Sequence, residues 1–136
     1  MRTTIALLVA LAAIACDETP AAETTAEPVP ELSVAQVAAM LSSGECTAVD
    51  ANNAQTRSRE GTVPGATLLS SSSQFEMSEL PADTSTNLVF YCANTRCTAS
   101  DGAAERAREA GYANVHVMRE GIAGWKQAGN PTTPAS

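Results

Sequence analysis

Basic side chains are scarce in this sequence. Its 136 residues include 8 Lys and Arg against 15 Asp and Glu, and Lys126 is the single lysine. Because a nucleic-acid-binding surface needs clustered Lys and Arg to neutralise phosphates, the formal net charge of −7 excludes that class of partner. Histidine is scarcer still. His116 alternates with Val115 and Val117, which is typical of a structural strand residue rather than of a general base.

A long hydrophobic run is also missing. The apolar run over residues 5–15 has eleven residues, whereas a transmembrane helix needs about 20. Arg2 precedes this run and Asp17 follows it closely, which is the pattern of a secretory signal peptide over residues 1–15. We therefore expect an exported protein on the periplasmic or cell-envelope side.

A cysteine directly follows the predicted signal peptide. The run Ala13-Ile14-Ala15-Cys16 resembles the lipobox of bacterial lipoproteins, although Ala13 replaces the usual leucine. The resemblance implies that the mature chain begins at Cys16 and is anchored to a membrane by lipid on that residue. The alternative is ordinary cleavage, with Cys16 as an incidental thiol.

The next segment, residues 16–31, is rich in Ala, Thr, Pro and Glu. Val29 is its only large apolar side chain, so the segment cannot bury enough surface to fold by itself. We expect a disordered tether that holds the domain off a membrane, or alternatively an unstructured leader without a role. Residues 132–136 are expected to form a disordered tail.

Residues 32–131 have the length of one domain, and their periodicity alternates between helix and strand. This alternation predicts βα units and a parallel sheet, and therefore an α/β fold. Ser33 and Gly44 are suited to cap the first helix at its two ends. The predicted strands cover residues 46–50, 66–69, 87–91 and 115–118, and the later helices cover residues 98–110 and 122–127.

The most informative site residue is Cys92, which follows the most apolar strand and precedes a short loop into a helix. Amides of the loop and the helix N-terminus would stabilise a thiolate there and make it a nucleophile. The alternative is that Cys92 is a small core residue at a strand end.

A family resemblance bears on this choice. The segment 88–131 begins Leu-Val-Phe-Tyr-Cys, ends Gly-Ile-Ala-Gly-Trp-Lys-Gln-Ala-Gly-Asn-Pro, and resembles the second half of a rhodanese domain. Val63-Pro64-Gly65-Ala66 is similar to the first-half signature, and Asp50 stands where the family has a strand-end acid. The resemblance implies a central parallel sheet of five strands with helices on both faces.

The resemblance also implies a sulfurtransferase of the thiosulfate type. Cys92 would take a sulfane sulfur from a small donor, and the persulfide would pass it to a thiol or another thiophilic acceptor, without a metal or cofactor. Backbone amides of the loop would hold the anionic sulfur. The loop residues concerned are Ala93, Asn94, Thr95, Arg96 and Thr98.

The sequence departs from the family at several positions. Thr98 stands where related phosphatases need an arginine, so phosphatase activity is not expected. Asn52 replaces an arginine that usually follows the strand-end acid, so Arg57 or Arg59 would have to support Asp50. Arg96, in the loop, would attract anionic donors.

Cys97 is the most informative departure. It could attack a Cys92 persulfide and release the sulfur, or close a disulfide with Cys92 in an oxidising compartment. The alternative is a spacer packed against the helix. Two other classes of function stay open: a redox or thiolate-binding module that uses Cys92 and Cys97 with little turnover, and a degenerate domain that serves as a scaffold.

Overall fold

A computed structural model describes residues 26–135 of the chain. The predicted signal peptide and the lipidation residue Cys16 lie outside the described residues. The helices and strands follow in the order α1 Val34–Ser43, β1 Thr47–Asp50, α2 Ala54–Glu60, β2 Thr67–Leu68, β3 Leu88–Tyr91, α3 Ala99–Glu109, β4 Val115–Met118 and α4 Gly121–Gln127. A short 3-10 turn at Met77–Glu79 precedes β3.

The first helix begins and ends where the sequence predicts. The Ser33 side chain accepts a hydrogen bond from Gln36 N and forms a capping box with that residue, which satisfies free amides at the helix start. Gly44 ends the helix at φ 72°, a left-handed conformation that glycine adopts without steric cost. Both predicted caps are therefore confirmed.

The sheet is parallel throughout, in the order β2-β1-β3-β4. The α/β class and the parallel sheet are thus confirmed, but the sheet has four strands and not the expected five. At the β4 edge, Glu31 forms only an isolated bridge with Val117. The ladder cannot extend one step toward the N-terminus, because Pro30 has no N–H to donate.

Helices cover both faces of the sheet, as expected. One face packs against α3, where Ala103, Ala104 and Ala107 meet the sheet residues Phe90 and Val117. The small alanine side chains of α3 allow this helix to lie close to the sheet. The opposite face packs against α1 and α4, whose buried residues are Val34, Val37, Ile122 and Trp125. Each side of β3 is therefore buried, which explains why this strand is apolar at every position.

Both ends of the domain reach further than composition indicated. Val29 is buried in the core on the α3 side, and the Pro30 oxygen accepts from Val117 N at 3.0 Å. Thr133 forms an antiparallel bridge with Thr62, and Gly61 leaves room for it because a Cβ there would lie 3.1 Å from the Thr133 oxygen. Residues 29–31 of the expected tether and Thr133 of the expected tail therefore pack or pair with the folded domain.

Among the helices of residues 26–135, none is long and apolar enough to cross a membrane.

Candidate functional site

The site is built on Cys92, the residue that follows the central strand β3. Cys92 is only 2% exposed and packs on the α3 side of the sheet together with Phe90 and Ala51. Tyr91, directly before it, points to the opposite face. Burial of all four β3 residues fixes the strand, and the strand in turn fixes the position of the cysteine.

The loop after Cys92 is held by the start of α4. Ile122 N donates to the Cys92 oxygen at 2.8 Å, and Ala123 N donates to the Ala93 oxygen at 3.0 Å. Gly121 makes this approach feasible, since its φ is 62° and a Cβ at this position would lie 2.5 Å from the Cys92 oxygen. The helix amides that usually lack a partner at an N-terminus are therefore used to position the cysteine loop.

Cys97 lies at the other end of this loop and forms a disulfide bond with Cys92. The Cα atoms of the two residues are 6.2 Å apart. This Cα separation lies within the usual range for a disulfide. The two residues differ in exposure, because Cys92 is buried whereas Cys97 is partly exposed. In this oxidised form, Cys92 has no free thiolate with which to attack a sulfur donor.

Ser100 is a site residue that the sequence analysis missed. It lies in the first turn of α3, is 2% exposed, and its hydroxyl donates to Cys92 Sγ at 3.5 Å. The Cys97 carbonyl oxygen is 3.3 Å from the same sulfur. The hydroxyl favours a charged sulfur, whereas the carbonyl oxygen favours a neutral thiol. A serine in the first turn of the helix after the cysteine loop is the signal that could have identified it.

The loop amides are only partly available to an anion. Arg96 N donates to Asn94 Oδ1 at 3.0 Å, and Cys97 N donates to the Asn94 oxygen at 3.1 Å. These bonds shape the loop as a tight turn, in which Asn94, Thr95, Arg96 and Thr98 are exposed and Ala93 is partly exposed. An anion pocket would therefore use the other amides of the turn, or would require the loop to change shape when the disulfide opens.

Asp50 and Arg57 meet each other but not the cysteines. Asp50 is fully buried and accepts from the Tyr91 hydroxyl at 2.6 Å, and its Oδ1 lies 3.3 Å from Arg57 Nε. Arg57 Nη2 also donates to the backbone oxygens of Asp50 and Leu69. Among residues 26–135, no hydrogen bond or ion pair joins this network to Cys92 or Cys97. Its contacts join the ends of β1, β2 and β3.

Burial shifts the pKa values of Tyr91 in β3 and of Cys46 just before β1. Burial, and then the charge of Asp50, raise the pKa of Tyr91 far above its ordinary value, so the hydroxyl stays protonated and continues to donate. Burial, and then the charge of Glu45, raise the pKa of the Cys46 thiol. Cys46 is free, but this environment disfavours the thiolate that a nucleophile requires.

Two surface cavities flank the cysteine loop. The lining of a cavity of about 400 Å³ includes Ser72, Ser73, Thr98 and Ala99. A second, of about 330 Å³, includes Thr95 of the loop. Within the part of the chain that the structure describes, no group of three or more His, Cys, Asp and Glu side chains is arranged to hold a metal ion.

Comparison with known proteins places the chain in a family. A model of the rhodanese-like domain matches residues 33–128, which covers most of the chain and includes Cys92 and Cys97. The protein therefore belongs to the rhodanese-like domain family. Among curated proteins, none matches this chain.

Several solved structures share the fold. A thiosulfate sulfurtransferase from Pseudomonas aeruginosa has a TM-score of 0.66 and 24% identity, over 79% of this chain and 21% of that chain. The human single-domain sulfurtransferase has a TM-score of 0.57 and 21% identity, over 73% of this chain and 96% of that chain. A protein of unknown function from Rhodopseudomonas palustris, described as a possible tyrosine phosphatase, has a TM-score of 0.63 and 23% identity, over 76% of this chain and 84% of that chain. At these identities, the likeness establishes the fold alone.

Proposed function

We propose that this protein is a sulfurtransferase that carries a sulfane sulfur on Cys92, with thiosulfate or a related small anion as the donor and a thiol as the acceptor. The observation that carries the proposal is the placement of Cys92 at the end of the central strand, where α3 contributes the Ser100 hydroxyl and α4 holds the loop backbone. Membership of the rhodanese-like family supports it, since the family includes sulfurtransferases.

The reaction begins from the reduced protein. The Cys92 thiolate attacks the outer sulfur of thiosulfate, the sulfur–sulfur bond of the donor breaks, and sulfite leaves with the electron pair. The resulting persulfide on Cys92 carries the transferred sulfur. An external thiolate that attacks this outer sulfur restores Cys92 and leaves with the sulfur as its own persulfide.

Cys97 offers a second way to discharge the persulfide. Its thiolate attacks the inner sulfur on Cys92, the bond to the outer sulfur breaks, and hydrosulfide leaves while the Cys92–Cys97 disulfide forms. The disulfide observed between these residues supports this role for Cys97 as a resolving thiol. The sulfur is then released in reduced form, and the protein stops in its oxidised form until it is reduced again.

Intact mass spectrometry of the full chain tests the proposal. The reduced protein, freed of reductant, is incubated with thiosulfate. We expect Cys97→Ser to gain one sulfur atom and keep it, whereas the unchanged protein gains one transiently and ends two hydrogens lighter. Cys92→Ser serves as the matched control and gains none. Failure of Cys97→Ser to gain sulfur would refute the sulfurtransferase proposal.

A second candidate function, a dithiol redox module, is favoured by the same disulfide. In that case the protein alternates between dithiol and disulfide without carrying sulfur. Loss of two hydrogens on oxidation, together with no sulfur uptake by Cys97→Ser, is the result expected for this function.

The proposal includes an exported location with lipid on Cys16 as the membrane anchor. The sequence pattern at residues 1–16 supports it, and disulfides persist mainly in oxidising compartments outside the cytosol. Incorporation of labelled palmitate into the expressed chain, and its loss in Cys16→Ser, would be expected. Equal labelling of both chains would contradict the anchor.

A further inference from the structure

The Cys92–Cys97 disulfide is asymmetric in its surroundings. Cys92 is 2% exposed and belongs to the buried core, whereas Cys97 is partly exposed and packs against that core. Thiol–disulfide exchange requires that an incoming thiolate reach one sulfur along the axis of the bond, while the other sulfur leaves. Access from solvent therefore favours attack on Cys97.

The leaving sulfur also has a defined partner. When Cys97 is attacked, negative charge develops on Cys92 Sγ, and the Ser100 hydroxyl already donates to this atom at 3.5 Å. Ser100 is buried in the first turn of an eleven-residue helix, so its hydroxyl is fixed relative to the sulfur. The Cys97 carbonyl oxygen lies 3.3 Å from the same sulfur and opposes this charge, so the Ser100 hydroxyl is the contact that favours the leaving thiolate.

We infer that the disulfide is opened by an external thiol that attacks Cys97 and expels Cys92 as a thiolate, with Ser100 as the positioning residue that donates to the leaving sulfur. The inference rests on the proposed function, because it concerns the step that returns the oxidised protein to its active dithiol. Cys97 is thus the residue at which a reducing partner is bound covalently, and Cys92 is the residue that is set free.

The exchange balances in two steps. The external thiolate forms a mixed disulfide with Cys97, and the bond between Cys97 and Cys92 breaks with its electron pair on Cys92. A second external thiolate then attacks the partner's sulfur in the mixed disulfide, and Cys97 leaves as a thiolate. Two external thiols are oxidised to one disulfide, and the two cysteines of the protein are reduced.

The cavity of about 400 Å³ that Thr98 and Ala99 line lies beside the chain that immediately follows Cys97. Its remaining lining includes Glu105, Arg106 and Glu109, so the cavity carries charges of both signs. A thiol with a polar, charged backbone, such as glutathione, matches these groups and is the probe for the experiment.

The chain itself provides a way to assign the attacked sulfur. Trypsin cleaves after Arg96, which separates the two cysteines into a 60–96 peptide and a 97–106 peptide, while Cys16 and Cys46 fall in a third peptide. The oxidised full chain is mixed with excess glutathione and quenched at short times with N-ethylmaleimide. We expect glutathione on the 97–106 peptide and maleimide on the 60–96 peptide. The reverse assignment, or equal labelling of the two peptides, would overturn the inference.

The rate of opening provides the second measurement. In Ser100→Ala, the leaving thiolate loses its donor, and each unit by which its pKa rises slows exchange by about threefold. Ser100→Thr keeps a hydroxyl and is expected to restore the rate. Ser42→Ala, which removes an exposed hydroxyl from α1, serves as the matched control and should leave the rate unchanged. An unchanged rate in Ser100→Ala would overturn the role of Ser100. If the mixed disulfide with glutathione does not accumulate enough to be assigned to a peptide, the rate of disulfide opening in Ser100→Ala decides the inference.

The inference and the proposed function fail in different assays. Sulfur uptake by the reduced chain does not depend on which sulfur glutathione attacks. Conversely, the peptide assignment needs no sulfur donor.

Discussion

Tyr91 connects three parts of the domain through one buried hydroxyl. It donates to Asp50 Oδ2 at 2.6 Å and accepts from Val63 N at 3.0 Å. Replacing it with phenylalanine keeps the ring but leaves a buried carboxylate and a buried amide each short of one partner. A buried polar group that is left without a partner destabilises the fold by its full desolvation free energy. We therefore expect Tyr91→Phe to lower the free energy of unfolding by about 2–3 kcal/mol.

Urea denaturation measures this loss, and Tyr112 provides a matched control. The Tyr112 hydroxyl donates to a neutral acceptor, the Pro81 oxygen, at 2.7 Å and is only partly buried. Tyr112→Phe is therefore expected to cost about 1 kcal/mol. Equal losses in the two variants would mean that the Asp50 carboxylate does not depend on Tyr91.

The same hydroxyl predicts a dependence of stability on alkaline pH. The pKa of Tyr91 is raised in the folded protein, first by burial and then by Asp50, whereas tyrosine in an unfolded chain ionises near pH 10. Above about pH 10 the unfolded chain therefore binds fewer protons than the folded protein, and the stability that is fully present below this pH is progressively lost. The loss approaches about 1.4 kcal/mol per pH unit.

Unfolding by urea at several values between pH 9 and about pH 11 measures this slope. Tyr91→Phe has no proton to lose at this position, so its stability should fall less steeply than that of the unchanged protein. Parallel slopes for the two proteins would contradict the assignment of the alkaline loss to Tyr91.

Individual residues also show where sequence reasoning stops. Ser33 and Gly44 could be predicted as caps because capping depends on local backbone geometry. Val29 could not be placed, because one apolar side chain in a polar segment becomes a core residue only if the fold leaves a space for it. Ser100 and Cys97 depend likewise on how far the loop folds back toward the strand end, which spacing alone does not determine.

At the scale of secondary structure, the cysteine loop packs closely against the start of α4. Gly121 has a positive φ, and a Cβ there would meet backbone atoms of Cys92, Ala93 and Asn94 at 2.5–2.8 Å. We expect Gly121→Ala to push the helix start away from the loop and to destabilise the protein by roughly 2 kcal/mol or more, as found when a strained conformation is combined with overpacking.

Gly102 in α3 is the matched control for this substitution. A Cβ at Gly102 meets nothing within 4 Å, and its φ is that of an ordinary helix residue. Gly102→Ala is therefore expected to stabilise the protein by about 0.5–1 kcal/mol. Thermal and urea unfolding compare the two variants, and a neutral Gly121→Ala would show that the loop and α4 can separate without cost.

The strands illustrate a second limit at this scale. β1, β3 and β4 could be located from their apolar residues to within one position. The predicted number of five strands, which the family resemblance implied, was wrong. The N-terminal segment pairs with β4 through only one bridge and so does not form a fifth strand. Pairing at a sheet edge depends on which backbone groups face the neighbouring strand, and Pro30 removes one of them.

For the whole molecule, the disulfide links redox state to stability. It closes a short loop, since Cys92 and Cys97 are five positions apart, and chain-entropy reasoning gives about 2 kcal/mol for a loop of this size. We therefore expect the reduced protein to have a lower free energy of unfolding by about this amount. Urea denaturation with and without reductant measures the difference, and Cys97→Ser should show no dependence on reductant.

The bridge at Glu31 has a consequence for solubility. Val117 exchanges hydrogen bonds with Pro30 and Leu32, so these residues cover the outer side of β4. An uncovered strand at a sheet border can pair with the same strand of another molecule and begin intermolecular sheet growth. Cutting the chain at Glu31 would take away Val29 and Pro30 and leave β4 open to such pairing. Shortened forms of the protein should therefore retain residues from Ala26 onward to stay monodisperse in concentrated solution.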